Sequence, residues 1–470
     1  MKKIIYFIAS AVLMLTSFSG NAQQNNLRTA YFLDGYTYRY RFNPSFAPER
    51  GFVSIPVLGS INLGVESSLS LSDFYFPTSD GKLRFFMDDA ISNDQFMKGI
   101  KKRNILSSNV NVNPLSFGFR TGKAYNTVDL SLKAYERSNL PESLFSFAKV
   151  GTSEGNTSWD ISRLGLRVDT YAELAYGYSR SISDALRVGA RLKLLFGVVR
   201  ADLMVDNLNL SMTKEKWEAR TAGHAAISGP VHVGTQEGSN LVDFNSIVMT
   251  EEYDDILNNI GFALDLGASY DFLEYFTASA ALLDLGMISW ANTTTAAAPT
   301  KSWIFEGFGT IDPDEGSDIG DELSNFGDNL LDMIQFEKEG PASKKSYALA
   351  ATMNLGIEAR MPFYERLSFG LLATHRFEGA YSWTEGRLSA NLAPVNSISL
   401  AASCAYSNFG ASFGGVVNFH LPGFNLFLGM DSFTPLFNLT PDYIPAKSMN
   451  TNLALGLNIL FGKPQGRYRD

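Results

Sequence analysis

Four histidines, one cysteine and a scatter of serines and acids are the side chains with catalytic or metal-binding reach. His224 and His232 stand eight apart, and His375 and His420 are isolated. A helical zinc site needs histidines about four residues apart, so the first two read as polar loop residues. A serine hydrolase needs a sharp nucleophile elbow, and no such elbow is expected here. The acidic run Asp312-Pro313-Asp314-Glu315-Gly316-Ser317-Asp318-Ile319-Gly320-Asp321-Glu322 has oxygens suited to calcium. It lacks the ordered EF-hand spacing and reads as a solvated loop before a helix at 323–336. Cys404 is the single cysteine, which excludes an internal disulfide framework, a thiolate metal cluster and a resolving redox partner. The expectation is a non-enzyme with no cofactor and no metal.

The remaining charges have a pattern of their own. Glu173, Arg187, Arg191, Lys193, Asp265, Asp271, Glu358, Arg360 and Arg376 each sit opposite an apolar row. Around Arg187, Arg191 and Lys193, for example, Leu186, Val188, Ala190, Leu192, Leu194 and Phe196 hold the alternate places. Side chains on a strand alternate between its faces. Such segments therefore show hydrocarbon to one environment and polar groups to another. In lipid each misplaced Arg or Lys near the midplane would cost about 2–4 kcal/mol, so the charges should line a lumen. Glu173 is expected roughly opposite Lys193 as an internal ion pair. The same charges would also serve as a polar path for solute.

About fourteen such strands follow one another from residue 51 to 462, ending on the regular row Leu453, Leu455, Leu457, Ile459 and Phe461. Strand four is expected to begin at Asp169, strand five to alternate as far as Val198, and strand seven to end at Trp290. Turns are expected at Gly122, Ser183-Asp184, Leu273-Glu274, Pro362-Phe363, Ala393-Pro394-Val395 and Pro422-Gly423, with long loops between. A hairpin outside the membrane is expected around 208–224. Short turns on one side and long loops on the other are the mark of an outer-membrane β-barrel. An even count returns the C-terminus to the starting side. The expected fold is an all-β, transmembrane antiparallel barrel of about 14 strands whose outer loops carry short helices, one of them amphipathic at 141–150.

Composition agrees. Charged residues are 19% against roughly 25% for a soluble domain, and aromatics are 13%. The net charge of −9 argues against nucleic acid as a partner. Met1-Lys2-Lys3, an apolar run and Ser19-Gly20-Asn21-Ala22 form a signal peptide over 1–22. Residues 23–50, rich in Tyr and Phe, contain two close prolines that disfavour a strand. They read as an irregular plug before the barrel, and 463–470 as a periplasmic tail.

Several stretches resemble a family of Gram-negative outer-membrane barrels with no assigned substrate: Asn43-Pro44-Ser45-Phe46-Ala47-Pro48, Leu115-Ser116-Phe117-Gly118-Phe119, Tyr176-Gly177-Tyr178-Ser179-Arg180, Ala190-Arg191-Leu192-Lys193-Leu194-Leu195-Phe196-Gly197 and Leu457-Asn458-Ile459-Leu460-Phe461-Gly462. That family is distantly similar to FadL-type fatty-acid transporter barrels and to PorV/PorQ-type barrels of a secretion system. The resemblance implies an N-terminal plug inside a barrel in the outer membrane. By this analogy the expected function is transport or binding of a small, hydrophobic ligand. The alternative is a scaffold or shuttle that docks secreted or surface proteins through its outer insertions, with a hydrolase third. Outer-membrane lipid and the barrel-insertion machinery are the remaining expected partners.

Overall fold

The computed structural model describes residues 27–77, 83–150, 158–212, 217–250, 254–298, 303–305, 336–433 and 450–464. Fourteen antiparallel strands close on themselves. In chain order they are β1 (Gly51–Ser54 and Ser60–Ser67), β2 (Arg103–Thr121), β3 (Ala124–Pro141), β4 (Ser158–Ser181), β5 (Leu186–Met212), β6 (Ile260–Phe272) and β7 (Phe276–Ala297). There follow β8 (Ser343–Ala348 and Ala351–Met361), β9 (Tyr364–Phe377), β10 (Trp383–Val395), β11 (Ile398–Ser407), β12 (Gly410–Leu421), β13 (Phe424–Met430) and β14 (Thr451–Phe461).

Each strand pairs with its neighbours in sequence, and β14 closes onto β1 with Phe461 opposite Gly51 and Leu455 opposite Ile61. Closure leaves no sheet edge to be satisfied in a medium without water. Gly51 and Phe461 lie at the end where Gly122, Leu273, Phe363 and Gly423 make the short turns, which is the periplasmic end of such a barrel.

The outer wall is apolar. Phe262 is 68% exposed and Leu192 is 63% exposed, and Leu174, Tyr176, Leu355, Leu371 and Ile459 continue the band. A water-soluble surface rarely carries a patch of that extent, so this face belongs in lipid. Among the described residues no helix is long and apolar enough to cross a membrane.

β1 breaks between Ser54 and Ser60, around Pro56 and Val57, the latter in the left-handed region at φ 67°. Proline has no N–H for the ladder. The ends stay tied to β14, because Ile55 N donates to Leu457 O at 3.2 Å and Leu457 N to Leu58 O at 2.8 Å.

Several strands run past the expected bounds, the three longest among them. β4 starts at Ser158, β5 runs on to Met212 and β7 to Ala297. At 24, 27 and 22 residues they are about twice the ~9–11 that a tilted strand needs to cross. The apolar row that marks a lipid face stops in these extensions, but pairing does not. They continue with Trp217–Ser228 into a layer above the membrane, around Ile161, Val205, Leu208, Leu210 and Ala225 and under the helix Glu142–Val150.

A second correction concerns Ala393-Pro394-Val395. These residues belong to β10, where Pro394 sits in a register shift, and the turn is Asn396-Ser397. Proline within a sheet is confined to such irregular places. The expected signal peptide, the acidic run 312–322 and the helix expected before Phe336 lie outside the described residues.

Candidate functional site: the occupied lumen

Residues 27–50 lie inside the barrel, with Leu27, Tyr31, Tyr38, Tyr40 and Phe42 all buried. The segment is made of two short 3-10 turns, Arg28–Ala30 and Arg39–Arg41, and then the prolines Pro44 and Pro48. Its rings pack against wall rings: Tyr38 on Phe52 of β1 at 5.7 Å, and Tyr36 on Phe427 of β13 at 4.9 Å, both edge to face.

The Asn43-Pro44-Ser45 stretch is where this segment meets β5, β6 and β7. Asn43 Oδ1 accepts from the Ser45 N–H at 3.0 Å and from its hydroxyl at 2.8 Å, which closes an Asx turn. Its Nδ2 donates to the carbonyls of Ala268 and Ala280, both at 3.1 Å. That approach needs bare backbone on the wall. A Cβ on Gly189 would collide with the Pro44 carbonyl, and one on Gly267 with the Asn43 side chain.

One half of the wall is charged. Asp129 of β3 receives Arg41 at 2.8 Å and Arg191 at 3.0 Å. Arg191 also reaches Asp265 at 3.0 Å, and Lys193 reaches Asp265 at 2.7 Å and Asp284 at 2.5 Å. Lys133 holds Glu173 at 2.6 Å. Further toward the loops, Glu378 joins Arg137 and Arg376, each at 2.8 Å, and Asp202 joins Arg167 and Arg200.

Across the lumen, below the loop end, asparagines line the wall. Asn458 bonds Asn425, Asn425 bonds Asn418, and Asn452 bonds Asn62. At that level the plug meets this side through neutral groups, with Tyr38 Oη donating to Asn458 at 2.6 Å and Thr37 Oγ1 to Asn425 at 2.9 Å. Ions out of water need compensation at every oxygen and N–H, and the plug's Arg41 and Tyr40, which donates to Asp129 at 2.6 Å, are part of it.

Of the nine charges singled out in the sequence, Glu173, Arg191, Lys193 and Asp265 come together in one network, and Arg376 joins Glu378 and Arg137 nearer the loops. Glu358 is buried on the inner wall of β8. Arg187 and Asp271, with Glu358, line a cavity of about 320 Å³ at the periplasmic mouth that also takes in Asp34, Arg39 and Glu49 of the plug. Arg360 is half-buried near that end of β8. Glu173 stands opposite Leu195 rather than Lys193; Lys193 approaches it diagonally at 3.8 Å, and its nearest cation is Lys133.

Sequence reasoning passed over Asp129, Lys133 and Arg137, although their alternation along β3 carries the same signal. It also missed Asp284, Arg28, Glu66, Glu385 and Arg387. Between the plug and the charged wall, Arg28, Arg41, Lys133, Glu173, Asp284 and Asn354 line a cavity of only about 40 Å³, room for little more than a water or two.

Among the described residues no cluster of three or more His, Cys, Asp or Glu could hold a metal ion. One Gly-x-Ser-x-Gly string does occur, from Gly410 to Gly414. Ser412 lies within β12, paired with Ala405, so it has no strand-to-helix elbow.

A plug-bearing, fourteen-stranded transmembrane barrel is therefore the class. Residues 44–431 match a family of unknown function, DUF5723, and the chain belongs to that family. No curated protein matches. Among solved structures, the toluene transporter TbuX of Ralstonia pickettii is similar at 9% identity over 94% of this chain and 96% of its own, with a TM-score of 0.41. A FadL homologue of Pseudomonas aeruginosa is 10% identical over 94% and 99%, with a TM-score of 0.43. The translocator domain of the autotransporter NalP from Neisseria meningitidis is 8% identical over 88% and 90%, at 0.32.

Proposed function

We propose that this chain is a gated, non-enzymatic carrier in the outer membrane of a Gram-negative bacterium, with residues 27–50 as the gate and a small hydrophobic molecule as cargo. The observation that carries this reading is the plug itself. A separate segment, continuous with the wall only at β1, occupies the space through which a solute would pass.

The loop side supports the apolar cargo. Phe74, Phe76, Phe85, Met87 and Met97 lie half-buried around Phe86 and Phe96, beyond the outer end of β1. Rings and thioethers of this kind take up apolar molecules of varied shape.

Locking the gate tests the reading. Thr37 and Asn425 already touch, so Thr37→Cys with Asn425→Cys, in a Cys404→Ser background, should tie the plug to β13 under oxidation. Uptake of a fluorescent fatty acid into vesicles carrying the protein should stop on oxidation and return on reduction. Unchanged uptake by the locked barrel would overturn the gate. Solvent extraction of the purified protein should also release a bound apolar molecule.

The extended layer of β4, β5, β7 and Trp217–Ser228 favours a second reading, a scaffold that docks proteins at its outer face. Protein partners that co-purify and are lost when this layer is trimmed would favour it.

A further inference from the structure

The plug begins in a clasp at the loop end of the lumen. Arg28 Nε donates to Glu385 Oε1 at 2.9 Å and Nη2 to Glu385 Oε2 at 3.0 Å, a two-pronged pair. Nη2 also reaches Glu66 Oε1 at 3.4 Å. The backbone N–H groups of Arg28 and Thr29 donate to the two oxygens of Asp431, at 2.8 and 2.7 Å. The Trp383 ring faces the guanidinium at 5.1 Å.

Those acids come from three separate places on the wall. Glu66 is next to last in β1, Glu385 is third in β10, and Asp431 directly follows β13. All three are at the loop ends of their strands, the side open to the cell exterior.

Arg387, bound to Glu385 at 2.9 Å, is the wall's own cation in this group. Three carboxylates thus face two guanidiniums while the plug is seated, and one when it is not. Even with Arg28 in place, Glu66 is nine-tenths buried and its Oε2 meets no donor among the described residues. The wall has more acceptor capacity here than the plug uses.

We propose that Glu66, Glu385 and Asp431, backed by Trp383, form a receptor site for a guanidinium-bearing solute, and that Arg28 is its tethered occupant. A free guanidinium arriving from outside competes with Arg28 and frees the tip of the plug. The inference rests on the seat of the plug and not on the nature of the cargo, so its test reads plug occupancy without transport.

Chemical rescue is that test, using full-length protein in detergent and methylguanidinium as the probe. Arg28→Gly should lower the temperature at which the folded gel band is lost, and millimolar methylguanidinium should restore several degrees of it with saturation. Sodium chloride or tetramethylammonium at equal ionic strength should not, and Glu385→Gln added to Arg28→Gly should abolish the response. Rescue no better than with salt would overturn the proposal. If Arg28→Gly does not fold, Ala30→Cys in a Cys404→Ser background reports on the intact clasp. Methylguanidinium should then speed maleimide labelling of Cys at this buried position several-fold over salt, and equal rates would refute the site.

Discussion

Arg41 on the plug and Arg191 on β5 divide one carboxylate between them, Arg41 at Oδ1 of Asp129 and Arg191 at Oδ2, 2.8 and 3.0 Å away. Asp129 is fully buried. Asp129→Asn would leave two guanidiniums facing each other across a neutral amide. Removing one partner of a buried pair costs roughly 3–5 kcal/mol. The folded band of Asp129→Asn should therefore be lost at a markedly lower temperature than wild type, and single-channel conductance should rise as the plug loosens. An unchanged midpoint and conductance would show that Asp129 does not hold the plug.

Gly189 and Gly267 hold the plug by what they lack. Gly189→Ala puts a methyl group into the Pro44 carbonyl, whereas a Cβ on Gly386 of β10 meets nothing within 4 Å. Forcing atoms into a packed site costs about 1–3 kcal/mol. Gly189→Ala should thus raise protease cleavage within residues 27–50, while Gly386→Ala should leave it as in wild type. Equal cleavage in both variants would mean that Asn43-Pro44-Ser45 does not rest against β5.

Alternation made much of this barrel legible in the sequence, because lipid imposes a two-residue period on every strand that crosses it. It placed Arg191, Lys193 and Asp265 inside, and it would have placed Asp129 and Lys133 there too. Asp284 shows why the rest was hidden. In Leu282-Leu283-Asp284-Leu285 a strict period sets the carboxylate on the lipid face with Leu282. A bulge with Asp284 at φ 59° turns it inward to Lys193, and Asp265 Oδ1 accepts its N–H at 2.7 Å. Leu460 of the last strand is hidden in another way: it keeps the period of the inner face yet is apolar, because there it packs with the plug rings. The clasp of Arg28 was out of reach because Glu385 and Asp431 lie hundreds of residues away, and only closure of the barrel brings them together with Glu66.

The last strand separates membrane insertion from plug retention. Leu455 faces outward, while Asn458 is fully buried and bonded to Tyr38 and Asn425. Leu455→Arg should reduce the amount in the outer-membrane fraction, since a cation on the lipid face costs about 2–4 kcal/mol near the midplane. Asn458→Ala should insert normally yet show greater conductance, because it loses the bond that ties Tyr38 of the plug to the wall and one that joins β14 to β13. Equal membrane yields for the two would refute the assignment of faces.

At the periplasmic mouth, burial and the nearby Asp34 carboxylate push Glu49 up to about 7, against the pull of Arg39, Arg50 and the Gly35 N–H. In the unfolded chain the same carboxyl titrates near 4.5. Between those values the folded chain keeps a proton that the unfolded chain has released, so stability falls as pH rises through the window. Below about 4.5 both states are protonated and above about 7 both are ionised, so the dependence from this group flattens at each end. Glu49→Gln mimics the protonated form. At pH 8 it should raise the temperature at which the folded band is lost, and at pH 5 the two proteins should nearly coincide. The same variant should label more slowly at Ala30→Cys at pH 8 if ionised Glu49 strains the seat of the whole plug, and unchanged labelling would confine its influence to the mouth. A wild-type midpoint that does not move relative to Glu49→Gln between pH 5 and pH 8 would show that Glu49 titrates as an ordinary exposed acid.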